Sequence, residues 1–215
     1  MSNDDSILDQ DISAVSNIKE YTFPLQFEFK ISSFANDFTV RNSSGNTLSY
    51  VRQKMFKLKE DVSVYSDESK KEVLYKISAD RWIDFNASYA FKVNNGALLG
   101  RVGRKGRKSL LKAHYEIFDN DGEQHFTISE ENPWAKFWDA LLSEVPLLGA
   151  FTGYMFNPRY IVKDKDDRIV ARLSKEKSFF GRRFKLEQVE EIEDLDKERM
   201  ILSLMMMTLL ERRRG

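Results

Sequence analysis

The sequence predicts a mainly β protein, a closed antiparallel barrel of about twelve strands enclosing a hydrophobic C-terminal α-helix, with one amphipathic helix near residues 133–146. Two observations lead there. A hairpin pattern recurs along the chain, and the chain ends RMILSLMMMTLLERRRG, where only Ser203 and Thr208 between Met200 and Leu210 are not apolar. Eleven helical residues are about 16 Å long, roughly half of a bilayer's hydrocarbon thickness, too short for a simple span. The apolar side chains run round the whole circumference, which calls for burial on every side. Met200, Ile201, Leu202, Leu204, Met205, Met206, Met207, Leu209 and Leu210 would each lose about 1.5–3 kcal/mol if left in water. In a chain that is otherwise nearly all strand, the strands themselves are the available wrapping. Flexible thioethers suit an irregular lumen. Pairing with a helix of another chain is the alternative.

Taken in order, residues 1–20 carry Asp4, Asp5, Asp9, Asp11 and Glu20 against Lys19, an acidic segment expected to be poorly ordered. A single domain is expected over 21–215. FPLQFEFK opens the strands. FTVRNSSGNTLSYV, VSVYSDESKKEVLYKI, YAFKVNNGALLGRV, YEIFDNDGEQHFTI and YIVKDKDDRIVARL each set a polar turn between two alternating arms. Tyr89, Phe91 and Val93 share one face, as do Ile169, Ala171 and Leu173. Asn95-Gly96 and Asp121-Gly122 read as type I′ turns, in which both central residues have positive φ. MFKLK, RWIDF and FFGRRFKLE add further strands. In NPWAKFWDALLSEVP, Asn132 caps, Pro133 opens and Pro146 ends a helix whose apolar residues follow helical spacing. The last helix, expected over about 194–213, starts with Asp194, Asp196 and Glu198 and ends with Arg212 to Arg214, charges that suit its dipole.

Charged residues are 32% of the chain and formal net charge is zero, so no whole-molecule field draws in nucleic acid or membrane. Without cysteine there is no disulfide, thiolate nucleophile or cysteine metal site. MSNDDSILDQD does not read as a secretion signal, and a cytoplasmic protein, peripheral to a membrane if it meets one, is the expectation.

A twelve-stranded barrel around an apolar C-terminal helix resembles the fold of tubby-like proteins, shared with phospholipid scramblases and the plant LURP-one-related proteins. The likeness is closest to the LURP-one-related and scramblase-like branch. It is carried by YVRQKMFKLKEDVSVYSDESKKEVLYKI, by HYEIFDNDG and by GYMFNPRYIVKDKDDRIVARLSKEKSFFGRRFKLE running into the apolar end, over approximately residues 23–211. These are patterns of strand, turn and tail. The resemblance implies a non-enzymatic binding module without a cofactor.

The densest basic run is RVGRKGRKSLLK, where Arg101, Arg104, Lys105, Arg107 and Lys108 fall within eight residues and Gly103 and Gly106 free the backbone. It reads either as a loop for phosphate-bearing lipid headgroups, similar in role to the phosphoinositide site of tubby-like proteins, or as a solvated connector. At about 1 kcal/mol per basic residue near an anionic surface, five charges give only millimolar-to-submillimolar binding, so a second contact is required. Trp134, Phe137 and Trp138 are candidates for dipping into a membrane, or else for packing on the barrel. His114 and His125, read as exposed, make a poor metal site without cysteine. DKDDR lacks the length and closing Glu of a calcium loop. No nucleophile–base–orienter set is present, so no enzyme is expected. The alternatives are a scramblase-like lipid-handling protein and a nucleic-acid or protein-interaction regulator. GRKGRK without interleaved aromatics gives nucleic acid little support.

Overall fold

The computed structural model describes residues 21–30, 36–53, 61–81, 87–104, 114–131, 159–176 and 183–212. Twelve strands follow in chain order: β1 (Leu25–Phe29), β2 (Phe38–Arg41), β3 (Thr47–Gln53), β4 (Asp61–Tyr65), β5 (Val73–Asp80), β6 (Ala87–Val93), β7 (Leu98–Arg104), β8 (His114–Phe118), β9 (Gln124–Glu130), β10 (Arg159–Lys163), β11 (Ile169–Glu176) and β12 (Arg183–Gln188). One helix, α1 (Asp194–Arg212), ends the described chain. Each strand pairs antiparallel with its sequence neighbours, and β1 closes on β12 with Leu25 opposite Leu186 and Phe27 opposite Phe184. The barrel therefore has no free edge. The sequence segment MFKLK, residues 82–85 of RWIDF, the acidic stretch 1–20 and the helix expected near 133–146 lie outside the described residues.

Turn chemistry explains the repeat. Asn42, Asp119 and Asp164 each accept, on one side-chain oxygen, the backbone N–H groups two and four residues on. Asp67 and Asn95 accept the N–H two residues on. Such short polar side chains stand in for backbone partners at a chain reversal. The type I′ expectation is corrected: Gly96 and Gly122 have φ of 90° and 92°, whereas Asn95 and Asp121 are not in the positive region. In these loops a single left-handed residue closes the turn and starts a bulge.

Five hairpins carry a bulge beside the turn, the register slipping between Val40 and Arg41, Val64 and Tyr65, Phe91 and Lys92, Ile117 and Phe118, and Val162 and Lys163. On the second arm of each hairpin this leaves one residue outside the pairing: Leu48, Leu74, Leu99, His125 and Val170. Leu74, Leu99 and Val170 are core residues, and Leu48 packs against the core. The expected face of Ile169, Ala171 and Leu173 is corrected by the same device, because Ile169 is only half-buried and Val170 is buried in its stead.

Inside the barrel, rows such as Tyr89–Val102–Ile117–Phe126 run across neighbouring strands, all four buried. They meet α1. Met200, Ile201, Leu204, Met206, Met207 and Leu209 have no exposed surface in the single chain. The helix is wrapped by its own strands, and no second chain is needed to cover it. Thr208, one of its two non-apolar residues, donates its hydroxyl to the Leu204 carbonyl at 2.6 Å. Among the described residues, no helix is long and apolar enough to cross a membrane.

Candidate functional site

A helix of 19 residues spans roughly 28 Å, enough to run from one rim of the barrel to the other.

At the exit rim, β7 ends, β8 begins and α1 finishes. Glu211 accepts a hydrogen bond from the Tyr115 hydroxyl at 2.5 Å and faces the Arg104 guanidinium at 3.9 Å. That guanidinium lies 5.7 Å from the Tyr115 ring centroid. A carboxylate at a helix C-terminus opposes the macrodipole, and the Arg104 charge offsets the conflict. Burial, then the bond to Glu211, pushes the Tyr115 hydroxyl far above the ordinary tyrosine value, so it stays a donor. Burial, then the charges of Glu211 and Glu130, does the same to Tyr160. Arg101 is on the outer wall, with its Nε 2.9 Å from Asp80. Two members of the basic run thus already face carboxylates of their own chain. Lys105, Arg107, Lys108, Trp134, Phe137 and Trp138 lie outside the described residues.

At the entry rim, Arg199 is buried and reaches three groups: the Leu99 carbonyl at 2.8 Å, Asp196 at 2.9 Å and Asn120 Oδ1 at 3.0 Å. Gly100 makes room for it. A Cβ there would stand 2.5 Å from the Phe118 carbonyl oxygen and 3.3 Å from Arg199 Cγ. His125 bridges Asp196, at 2.8 Å from Nδ1, and Asp119, at 3.2 Å from Nε2. These contacts correct the expectation of exposed histidines, since about a quarter of the His125 side chain is open (26%) and His114 lies 3.7 Å from Glu116. Beside His125 is an open cleft of about 390 Å³, lined by Phe126, Ile192, the DKDDR turn and the start of α1.

The acidic turn is a turn. Asp164 gives one oxygen to the N–H groups of Asp166 and Arg168 and the other to the Arg168 side chain at 2.9 Å. Burial works against its charge, yet these donors hold its carboxyl below the usual range. Among the described residues, no group of three or more His, Asp or Glu is placed to hold a metal ion.

Glu211, Tyr115, Arg199 and Gly100 were not singled out by sequence. A lone arginine abutting the apolar tail was the available signal. Compared with known proteins, residues 47–190 match the model of a family described as LURP-one-related. No curated protein and no solved structure matches the chain.

Proposed function

This chain belongs to the LURP-one-related family, and from that premise we propose that it is a non-enzymatic binding module whose basic exit rim takes phosphate-bearing anions, lipid headgroups at a membrane surface above all. The observation that carries the reading is convergence. β7 delivers Arg104 to the rim where α1 ends, the chain continues from it as Lys105, Arg107 and Lys108, and α1 closes with Arg212 followed in sequence by Arg213 and Arg214. With Met200 to Leu209 buried in the lumen, a ligand is met outside the barrel rather than within it. Arg101 and Arg104, held by Asp80 and Glu211, brace the start of the run, and Lys105, Arg107 and Lys108 supply the binding charge. Trp134, Phe137 and Trp138 supply the second, apolar contact that the charges alone require.

Sedimentation with phosphatidylcholine vesicles, with and without phosphoinositide, tests the reading. The wild-type protein is expected to pellet only with the anionic vesicles. Reversing Lys105, Arg107 and Lys108 together (K105E, R107E, K108E) is expected to weaken that binding by about 100-fold or more, with thermal melting unchanged. Equal binding by wild type and triple variant, or none by wild type, defeats the proposal.

A further inference from the structure

We infer that His125 is a proton-operated latch that fastens the entry turn of α1 to the β8–β9 hairpin, independently of any ligand at the exit rim. The hairpin repeat is the first ground. Four of the five bulge positions carry Leu48, Leu74, Leu99 and Val170, aliphatic residues in or against the core. The β8–β9 hairpin has the same slip and the same Asx turn, yet puts an imidazole there. A position that four hairpins fill with hydrocarbon is, in this one, ionisable and joined to the helix.

Geometry is the second ground. Both ring nitrogens face carboxylate oxygens, Nδ1 that of Asp196 at 2.8 Å and Nε2 that of Asp119 at 3.2 Å. A carboxylate can only accept, and a neutral imidazole carries a single N–H. Only the imidazolium donates to both partners. Loss of the proton turns one nitrogen into an acceptor set against an acceptor, and one of the two contacts is lost. Asp119 stays charged well into acid: burial opposes its ionisation, but the Glu123 backbone N–H, then His125 and Arg199, hold its carboxyl below the ordinary range.

The cleft beside the ring is lined mostly by charged groups. Besides Asp119 and Asp196, the β10–β11 turn brings Asp164 and Asp166 to the same cleft, and the link from β12 to α1 brings Glu191 and Glu193. Beside these six carboxylates stand Lys165, Arg168, which pairs with Asp164 and Asp166, and Arg199, which is bound to Asp196. A latch that needs both ring N–H groups is closed where the ring is protonated and opens where it is neutral.

Urea denaturation at several pH values between about 5.5 and 8 tests the latch. The wild-type midpoint is expected to fall as pH rises. His125→Leu restores the residue type of the other hairpins, and its midpoint is expected to lack that fall. His125→Gln, whose side-chain amide does not titrate, is expected to lack it too, and Asp196→Asn to reduce it. His114 remains in every variant, so the difference between profiles isolates His125. A wild-type profile without slope, or a slope retained in both His125 variants, overturns the inference. Should His125→Leu fail to fold, His125→Gln and Asp196→Asn still decide it.

Discussion

Met206→Lys abolishes the cooperative unfolding transition and leaves an aggregating or expanded chain. Met206 sits two turns into the apolar run of α1 with no exposed surface, and its neighbours Met205 and Met207 are as deeply buried. The helix is surrounded, so an ammonium there has no face along which to reach water. An unpaired buried charge forces the site to neutralise or the structure to open, and the cost exceeds the roughly 5 kcal/mol that marks an exceptional substitution. A barrel of this size holds about 5–15 kcal/mol in total. Circular dichroism and a thermal melt read the outcome; a cooperative transition near the wild-type temperature would show that the lysine finds solvent, and hence that the helix is not enclosed.

Arg199→Met is the second large effect, expected to cost about 3–5 kcal/mol. Methionine keeps most of the side-chain volume beside Gly100, so the variant isolates polar loss from packing loss. Three acceptors lose their donor together: the Leu99 carbonyl on β7, Asn120 in the β8–β9 turn and Asp196 on the helix. Asp196 also keeps His125 at 2.8 Å and is only partly buried, which limits the damage on that side. Removing one partner of a buried charge network costs more than the network's net worth, because the remaining groups stay desolvated. Urea denaturation measures the change. A loss below about 1 kcal/mol, the value of an exposed pair, would mean that Arg199 does not anchor the helix.

The barrel and its filling were legible because both rest on composition and period. An apolar stretch without a polar face, too short for a bilayer, has few places to go, and five hairpins with Asx-containing turns announce a meander. The bulges were not legible. Strict alternation assigns Ile169 to the buried face, whereas the slip at Val162 and Lys163 hands that place to Val170. The same slip in the β8–β9 hairpin explains why His125 read as an exposed residue and is instead joined to the helix 71 positions away. Arg104 illustrates another limit. Within the sequence it is one of five clustered cations; in the fold it faces Glu211, more than a hundred residues downstream. Clustering reports charge density, and only tertiary contact reports which charges are already engaged.

The proposed exit-rim chemistry depends on a lumen that is already full, since an empty barrel would offer an interior site and make the rim incidental. Native-state hydrogen exchange tests that filling most directly. The amides of Leu204, Met205, Met206 and Met207 are expected to exchange only through global unfolding, as slowly as the slowest amides of the strands. Exchange of these helix amides well ahead of the strands, with the sheet still protected, would contradict the enclosed helix.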